Sequence, residues 1–241
     1  NRLLLKTEDE IRKIVDAGIH DVVIDCSRGL DVDHAPTVEE TRIRTEAAII
    51  EIAEKPVLPT RTSMAEELKR ATLIRHQAAG LVRTVMQDAR LGKVIELDRV
   101  GPVVEDITAS ILRNPGALLG LLRIKNKDDY TFLHSVSVCT LLVAFCRARG
   151  IDSDTIYQAG LGGLVHDVGK ALVPDEILNK PGRLTEEEFA IVRKHPQDGY
   201  DILRKSPEIG HIPLDITLHH HERHDGSGYP GKQAGAQISE L

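Results

Sequence analysis

At 241 residues and 41% hydrophobic, the chain suits one large domain or two small ones and can bury a real core. With four tyrosines, three phenylalanines and no tryptophan, that core must rest on Leu, Ile, Val and Ala. The formal net charge of −6 argues against non-specific binding of a nucleic-acid polymer, which needs a basic face. It leaves room for a small phosphate ligand held by a few cations or metals. The three cysteines, Cys26, Cys139 and Cys146, are too few and too odd for a disulfide framework, and the latter two read as small core residues. The longest apolar run, Val136 to Cys146, is too short to span a membrane, and a cytoplasmic location is the default expectation. Because the chain starts at Asn1 on an apolar run and stops at Leu241 without a clear terminator, it is expected to be a fragment of a longer protein.

In chain order, Thr7 with Glu10 forms a capping box ahead of a helix carrying Ile11, Ile14 and Val15, which Gly18 ends. Val22-Val23-Ile24 reads as a short buried strand. A helix near Glu39–Ala53 follows, then a break at Pro56 and Pro59 that reads as a linker. Residues 1–60 are thus expected to be a small, partial α/β domain with its linker. A second capping box, Ser63 with Glu66, opens a long helix to about Arg90, with Leu68, Ala71, Ile74, Ala78, Leu81, Val82, Val85 and Met86 on one side. Gly92 closes it. This connecting segment, 61–99, reads as a packing helix of the main domain; a signalling or homodimer helix with a coiled-coil-like seam is the alternative. Further helices are expected near Val100–Arg113, Tyr130–Arg149, Ser153–Val168, Thr185–His195 and Gln197–Lys205, with a third capping box at Thr185 and Glu188. The fold class is therefore mainly α: a helical bundle over 100–241 behind a small α/β fragment.

The eleven histidines are placed informatively. His166-Asp167 is followed by Gly169-Lys170; His195 precedes Pro196; His219-His220-His221-Glu222 leads into Asp225-Gly226-Ser227-Gly228-Tyr229-Pro230. An isolated His-Asp pair or a run of histidines is common on a surface. Here, however, His134, His166-Asp167, His195 and His220-His221 each fall on a different expected helix or at its end. Imidazoles suit iron, manganese, zinc and nickel, and a carboxylate with two oxygens can bridge two ions. Helix ends that face a bundle core are a known way to build a di-metal site. His20, His34, His76 and His211 read as exposed or locally satisfied, while His219 and His224 flank the cluster. Gly226, Gly228 and Pro230 read as shaping a tight loop.

These stretches resemble a known family. His166-Asp167-Val168-Gly169-Lys170 is similar to the signature of HD-superfamily metal hydrolases. The run from His220 to Pro230 is similar to the longer signature of its HD-GYP branch, as are the run from Pro174 to Thr185 and His195-Pro196. The resemblance covers roughly residues 100 to 235. Residues 1 to 60 resemble, more weakly, the small domain found ahead of HD-GYP modules in bacteria.

The resemblance implies metal-dependent hydrolysis of the second messenger cyclic di-GMP to pGpG, often on to GMP. It implies His166, Asp167, His195, His220 and His221 as metal ligands, with His134 a further one, and Asp167 as the bridge. Lys170 would contact a phosphate oxygen. Glu222, Asp225, Gly226, Gly228, Tyr229 and Pro230 would form the signature loop, which in the family is credited with contacting diguanylate cyclase (GGDEF) domains. Some members hold a third metal through a glutamate one turn before the His134 position. Tyr130 stands there, with Asp128 and Asp129 nearby, which favours two ions, iron or manganese first, with zinc and nickel also compatible. A further family aspartate would lie on the helix after the Gly-Tyr-Pro loop. The chain stops where that helix should begin, so an incomplete metal site is expected. Two other readings stay open: a catalytically silent cyclic di-GMP receptor, and an HD hydrolase acting on deoxynucleoside triphosphates or guanosine tetraphosphate.

Overall fold

The computed structural model describes residues 7–16, 62–122 and 130–239, with scattered positions between 36 and 47. The chain divides into two compact units, Asn1–Pro59 and Thr60–Leu241. In the first, helix α1 (Glu8–Asp16) starts at the Thr7–Glu10 capping box, in which the Glu10 carboxylate accepts from Thr7 N at 3.1 Å. Thr37 and Glu40 form a similar box, Glu40 N donating to Thr37 Oγ1 at 3.1 Å. The expected strand at Val22–Ile24, the proline linker, Cys26, His20 and His34 lie outside the described residues.

The second unit is helical. In chain order it comprises α2 (Met64–Arg90), α3 (Leu97–Arg113), α4 (Pro115–Leu121), α5 (Tyr130–Ala148), α6 (Ser153–Val165), a 3-10 turn (Val168–Leu172), α7 (Asp175–Leu178), α8 (Glu186–Val192), α9 (His195–Leu203) and α10 (His211–His219). Among the described residues the only β feature is an isolated bridge between Asp225 and Ala234. No described helix is long and apolar enough to cross a membrane.

The capping boxes at Ser63–Glu66 and Thr185–Glu188 fix the starts of α2 and α8, each satisfying two orphan N–H groups reciprocally. Gly92 ends the α2 region in the left-handed conformation, at φ 70°. On α2, Ala71, Ile74, Ala78, Val82 and Val85 are buried, but Leu68 is exposed. The helix packs on α3, α4, α5 and the 3-10 turn, so it belongs to the body of this unit. Its last residue reaches the turn: Arg90 Nε donates to the Ala171 carbonyl at 3.0 Å, and its guanidinium grips Asp175. α4, which the sequence reading did not anticipate, is opened by Asn114, whose side chain accepts from Gly116 N ahead of Pro115.

The apolar helix α5 runs along α6 at the centre, with Val136, Cys139, Val143 and Cys146 fully buried. Their approach is close because Gly163 has no side chain: a Cβ there would stand 3.0 Å from the Cys139 backbone. α6 ends at Val165 rather than at the expected Val168, and the chain then turns into the 3-10 segment. His166 and Asp167 therefore sit in a break between two elements. His195 differs too. It begins α9 rather than ending α8, with Pro196 in the first turn, where a missing N–H costs nothing.

Candidate metal centre

Three of the histidines are built alike. His166 Nδ1 lies 2.9 Å from the Gly163 carbonyl, His195 Nδ1 2.7 Å from Val192, and His220 Nδ1 2.9 Å from Thr217. Each carbonyl is three residues back, among the last of α6, α8 or α10, where helix carbonyls lack intrahelical partners. A carbonyl only accepts, so each Nδ1 carries a proton and each ring turns its Nε2 to the cluster. Helix ends thus fix the tautomer and aim the free nitrogen in one step.

All three Nε2 atoms converge on Asp167, which is 2% exposed. His195 and His220 approach Oδ1 at 3.3 and 3.6 Å, and His166 and His134 approach Oδ2 at 3.3 and 3.9 Å. Lys170 Nζ also donates to Oδ2, at 2.7 Å, from one turn along the 3-10 segment. Oδ1 is buried and has no hydrogen-bond partner. His195 and His220 bring their Nε2 atoms within 3.1 Å of each other. His221 joins them, its ring 5.0 Å from that of His195.

Two donor sets result: His134, His166 and Asp167, and His195, His220 and His221, with the ligand atoms of each set within 4.8 Å of one another. The sequence-derived residues therefore meet at one place, with Asp167 between the two sets.

Burial pushes the Asp167 carboxyl up, yet the group is held ionised, well below the usual carboxylate range; with each Nδ1 already donating to a helix carbonyl, the donor that offsets burial is Lys170 Nζ, 2.7 Å from Oδ2. Burial also lowers the pKa of His134 and His220, and takes that of His221 down to about 3, so these rings are neutral. Lone pairs facing an ionised carboxylate and each other are acceptors without donors. That polarity mismatch suits divalent cations, and the donor set of imidazole and carboxylate fits them.

The signature residues close a loop against this cluster. Glu222 accepts from Gly231 N at 2.5 Å and Gln233 N at 3.0 Å, pinning the chain after Pro230. Asp225 accepts from Ser227 N at 2.9 Å and from its hydroxyl, and Gly226 takes φ 72°. Gly228 lies against the backbone of His221 and Glu222, where a Cβ would meet Glu222 Cα at 2.5 Å. Tyr229 is thereby laid on His221, with ring centroids 4.6 Å apart and planes at 17°. Of the flanking histidines, His219 bonds to Asp215 at 2.8 Å and to Gln233 at 3.1 Å, while His224, His76 and His211 are exposed.

A cleft of about 330 Å³ opens beside the cluster, lined by Arg193, His220, His221, Glu222, Arg223, Ser227, Gly228 and Tyr229. The sequence reading missed Arg193 and Phe189. The Arg193 guanidinium lies over the Phe189 ring at 4.8 Å and the Tyr229 ring at 5.2 Å. Their i,i+4 spacing, from α8 to its C-cap, was the only signal in the sequence.

Comparison with known proteins agrees with this geometry. Residues 121–241 match the HD domain family, and residues 1–100 match a family described as a domain of unknown function (DUF3391). A cyclic di-GMP phosphodiesterase of Pseudomonas aeruginosa is 40% identical over 238 residues, covering 99% of this chain and 56% of that protein. The cyclic di-GMP phosphodiesterase response regulator RpfG of Xanthomonas campestris is 27% identical over 80% of this chain and 48% of its own length. The chain thus spans about half the length of these curated relatives. The solved structure of Bd1817, an HDG"Y"P protein from Bdellovibrio bacteriovorus, superposes with a TM-score of 0.61 at 21% identity, over 83% of this chain and 63% of that one, a likeness of fold. With its His166-Asp167 pair at the break after α6 and its Gly228-Tyr229-Pro230 loop against the histidines, the chain belongs to the HD domain family.

Proposed function

We propose that this chain is the catalytic part of a bacterial signalling phosphodiesterase that hydrolyses cyclic di-GMP to pGpG and/or GMP in the cytoplasm. The observation that carries the reading is the ring of Nε2 lone pairs around an ionised, buried Asp167 whose Oδ1 has no donor. The names of the relatives in Pseudomonas aeruginosa and Xanthomonas campestris support the substrate. In this reading residues 1–60 form a small N-terminal domain and linker, 61–99 a helix joined to the catalytic body, and 100–241 the HD-GYP domain.

His134, His166 and Asp167 would hold one divalent ion and His195, His220 and His221 the other, with Asp167 as the bridging residue. Iron or manganese suits the set best, and zinc or nickel is compatible. Such ions supply an activated water and offset charge on the phosphodiester. The protein's own groups do the rest. The carbonyls of Gly163, Val192 and Thr217 hold the ligand rings in one tautomer and orientation. Lys170, partly buried beside Oδ2, provides a compact positive charge for a non-bridging phosphate oxygen. Glu222 holds the Tyr229 loop against His221 and shapes the cleft wall. No side-chain nucleophile is required.

The test is hydrolysis by the full-length protein, loaded anaerobically with iron or manganese, of cyclic di-GMP, with pGpG and GMP separated by chromatography. Metal-dependent release of pGpG is expected. A metal-replete protein that binds cyclic di-GMP and releases nothing would instead be a receptor, and the proposal would fail.

A further inference from the structure

We propose that Arg193, mounted on Phe189 and Tyr229, reads the Hoogsteen edge of a guanine in the bound dinucleotide and so sets the enzyme's base preference. The inference rests on the phosphodiesterase reading above and deepens it. Arg193 is an exposed residue on the segment joining α8 to α9, and it lines the same cleft as His220 and His221. Its guanidinium stands over the rings of Phe189 at 4.8 Å and Tyr229 at 5.2 Å. Two aromatic contacts orient a planar cation and lower the entropy cost of using it.

Its side-chain donors remain unspent: among the described residues the Arg193 guanidinium makes no hydrogen bond or ion pair, and only the backbone N–H donates, to the Phe189 carbonyl at 2.9 Å. By contrast, the neighbouring Arg223 approaches Asp225 at 3.6 Å. An oriented fork of free N–H groups in a cleft wall calls for a pair of acceptors on a flat ligand.

The position in the cleft selects which acceptors. The imidazoles that face Asp167 mark the phosphate end. Tyr229 touches both, its ring 4.6 Å from that of His221 and 5.2 Å from the Arg193 guanidinium. A ribose separates base from phosphorus in a nucleotide, so a ligand with its phosphate at the histidines carries its base toward the Tyr229–Arg193 wall. Guanine offers N7 and O6, both acceptors, to an arginine fork; adenine offers N7 beside an N6 amino donor, which faces the arginine donors unfavourably.

The experiment compares wild type, Arg193→Ala and Arg193→Lys in the full-length, metal-loaded protein. Cyclic di-GMP and cyclic di-AMP are the probes, read by kcat/KM and, for metal-free protein, by calorimetric binding. The ratio favouring cyclic di-GMP is expected to fall about 10- to 100-fold in Arg193→Ala. Metal content is expected to stay at the wild-type level. Arg193→Lys keeps the charge but not the flat fork and is expected to leave the ratio low. Equal loss for both dinucleotides, or full recovery by lysine, would overturn the inference, because either makes Arg193 a general phosphate cation. If wild type neither binds nor cleaves either dinucleotide, the phosphodiesterase reading fails first and takes this inference with it.

Discussion

Gly169 and Gly199 meet back to back where the Val168–Leu172 turn crosses α9: a Cβ on Gly169 would stand 2.5 Å from Gly199 N, and one on Gly199 would stand 3.2 Å from Gly169 N. The His195 carbonyl also lies in the space that a Gly169 side chain would need. This crossing brings Asp167, two residues before Gly169, within 3.3 Å of His195 Nε2. The glycine of the His-Asp-Val-Gly-Lys stretch is thus explained by a backbone contact that sets the spacing of the two donor sets.

Gly169→Ala should therefore act on metal binding although it removes no ligand. The obstructing atoms are backbone, so relief requires the turn and α9 to separate. A cost of about 1–3 kcal/mol in unfolding free energy is expected, as for overpacking a tight site. Metal affinity should fall at least tenfold. Chemical denaturation and metal titration check this together; a variant with wild-type midpoint and metal content would contradict the account.

Asp167→Asn separates ligation from stability. An asparagine amide donates to the Nε2 acceptors that now face a carboxylate. The variant without metal should thus be at least as stable as the wild type in a chelator. Wild type should gain about 2.7 kcal/mol from metal at a hundredfold excess over its Kd. The variant should gain almost none. Thermal melts with and without chelator read both effects, and an asparagine variant still stabilised by metal would rule out Asp167 as the bridge.

Much of this was legible in the chain because it is local. Thr7–Glu10, Ser63–Glu66 and Thr185–Glu188 are four-residue signals, and all three form. The ligand residues were visible as chemistry, imidazoles and a carboxylate on separate stretches of the chain, although the helix that carries His220, α10 (His211–His219), was not among the expected ones. The contacts that assemble them were not. The break after Val165 depends on where His166 and Asp167 must point, which no propensity encodes. α4 was missed because Gly116 and Gly120 weaken its helical signal, and only the Asn114 cap and packing secure it. Gly169 meets Gly199, and Arg193 meets Tyr229, across intervals with no sequence periodicity.

Lys170→Met should expose what the lysine does. Its Nζ bonds to Asp167 Oδ2, where it competes with a cation for the same oxygen. Metal content should be retained or rise. Turnover should fall on the order of 100-fold, the usual loss when one group stabilising transition-state charge is removed. Elemental analysis alongside single-turnover kinetics tests both parts. Loss of metal would make the lysine part of the scaffold instead.

Glu67 presents the last case, far from the histidines. It is fully buried on α2 yet ionised, bonded by Ser110 Oγ at 2.8 Å and by Arg113 Nε and Nη2 at 2.7 and 2.8 Å. The Arg113 guanidinium holds its carboxyl below the usual 4.5; burial pushes the other way, and Ser110 adds to the lowering. Because the folded pKa lies below the unfolded one, the stabilisation is fully present above about pH 4.5. It is lost as pH falls through the folded value. Glu67→Gln should remove that part of the acid dependence. At neutral pH it should cost about 2–3 kcal/mol, less than for a fully buried pair because Arg113 is 29% exposed. The double variant Glu67→Leu with Arg113→Met leaves no buried charge unpaired, since Arg70, 3.6 Å from Glu67, is exposed to solvent, and it should recover part of that loss. Denaturant unfolding of the three proteins from pH 3.5 to 7 decides it. If wild type and Glu67→Gln lose stability in parallel as the pH falls, then Glu67 is not what couples α2 to α3.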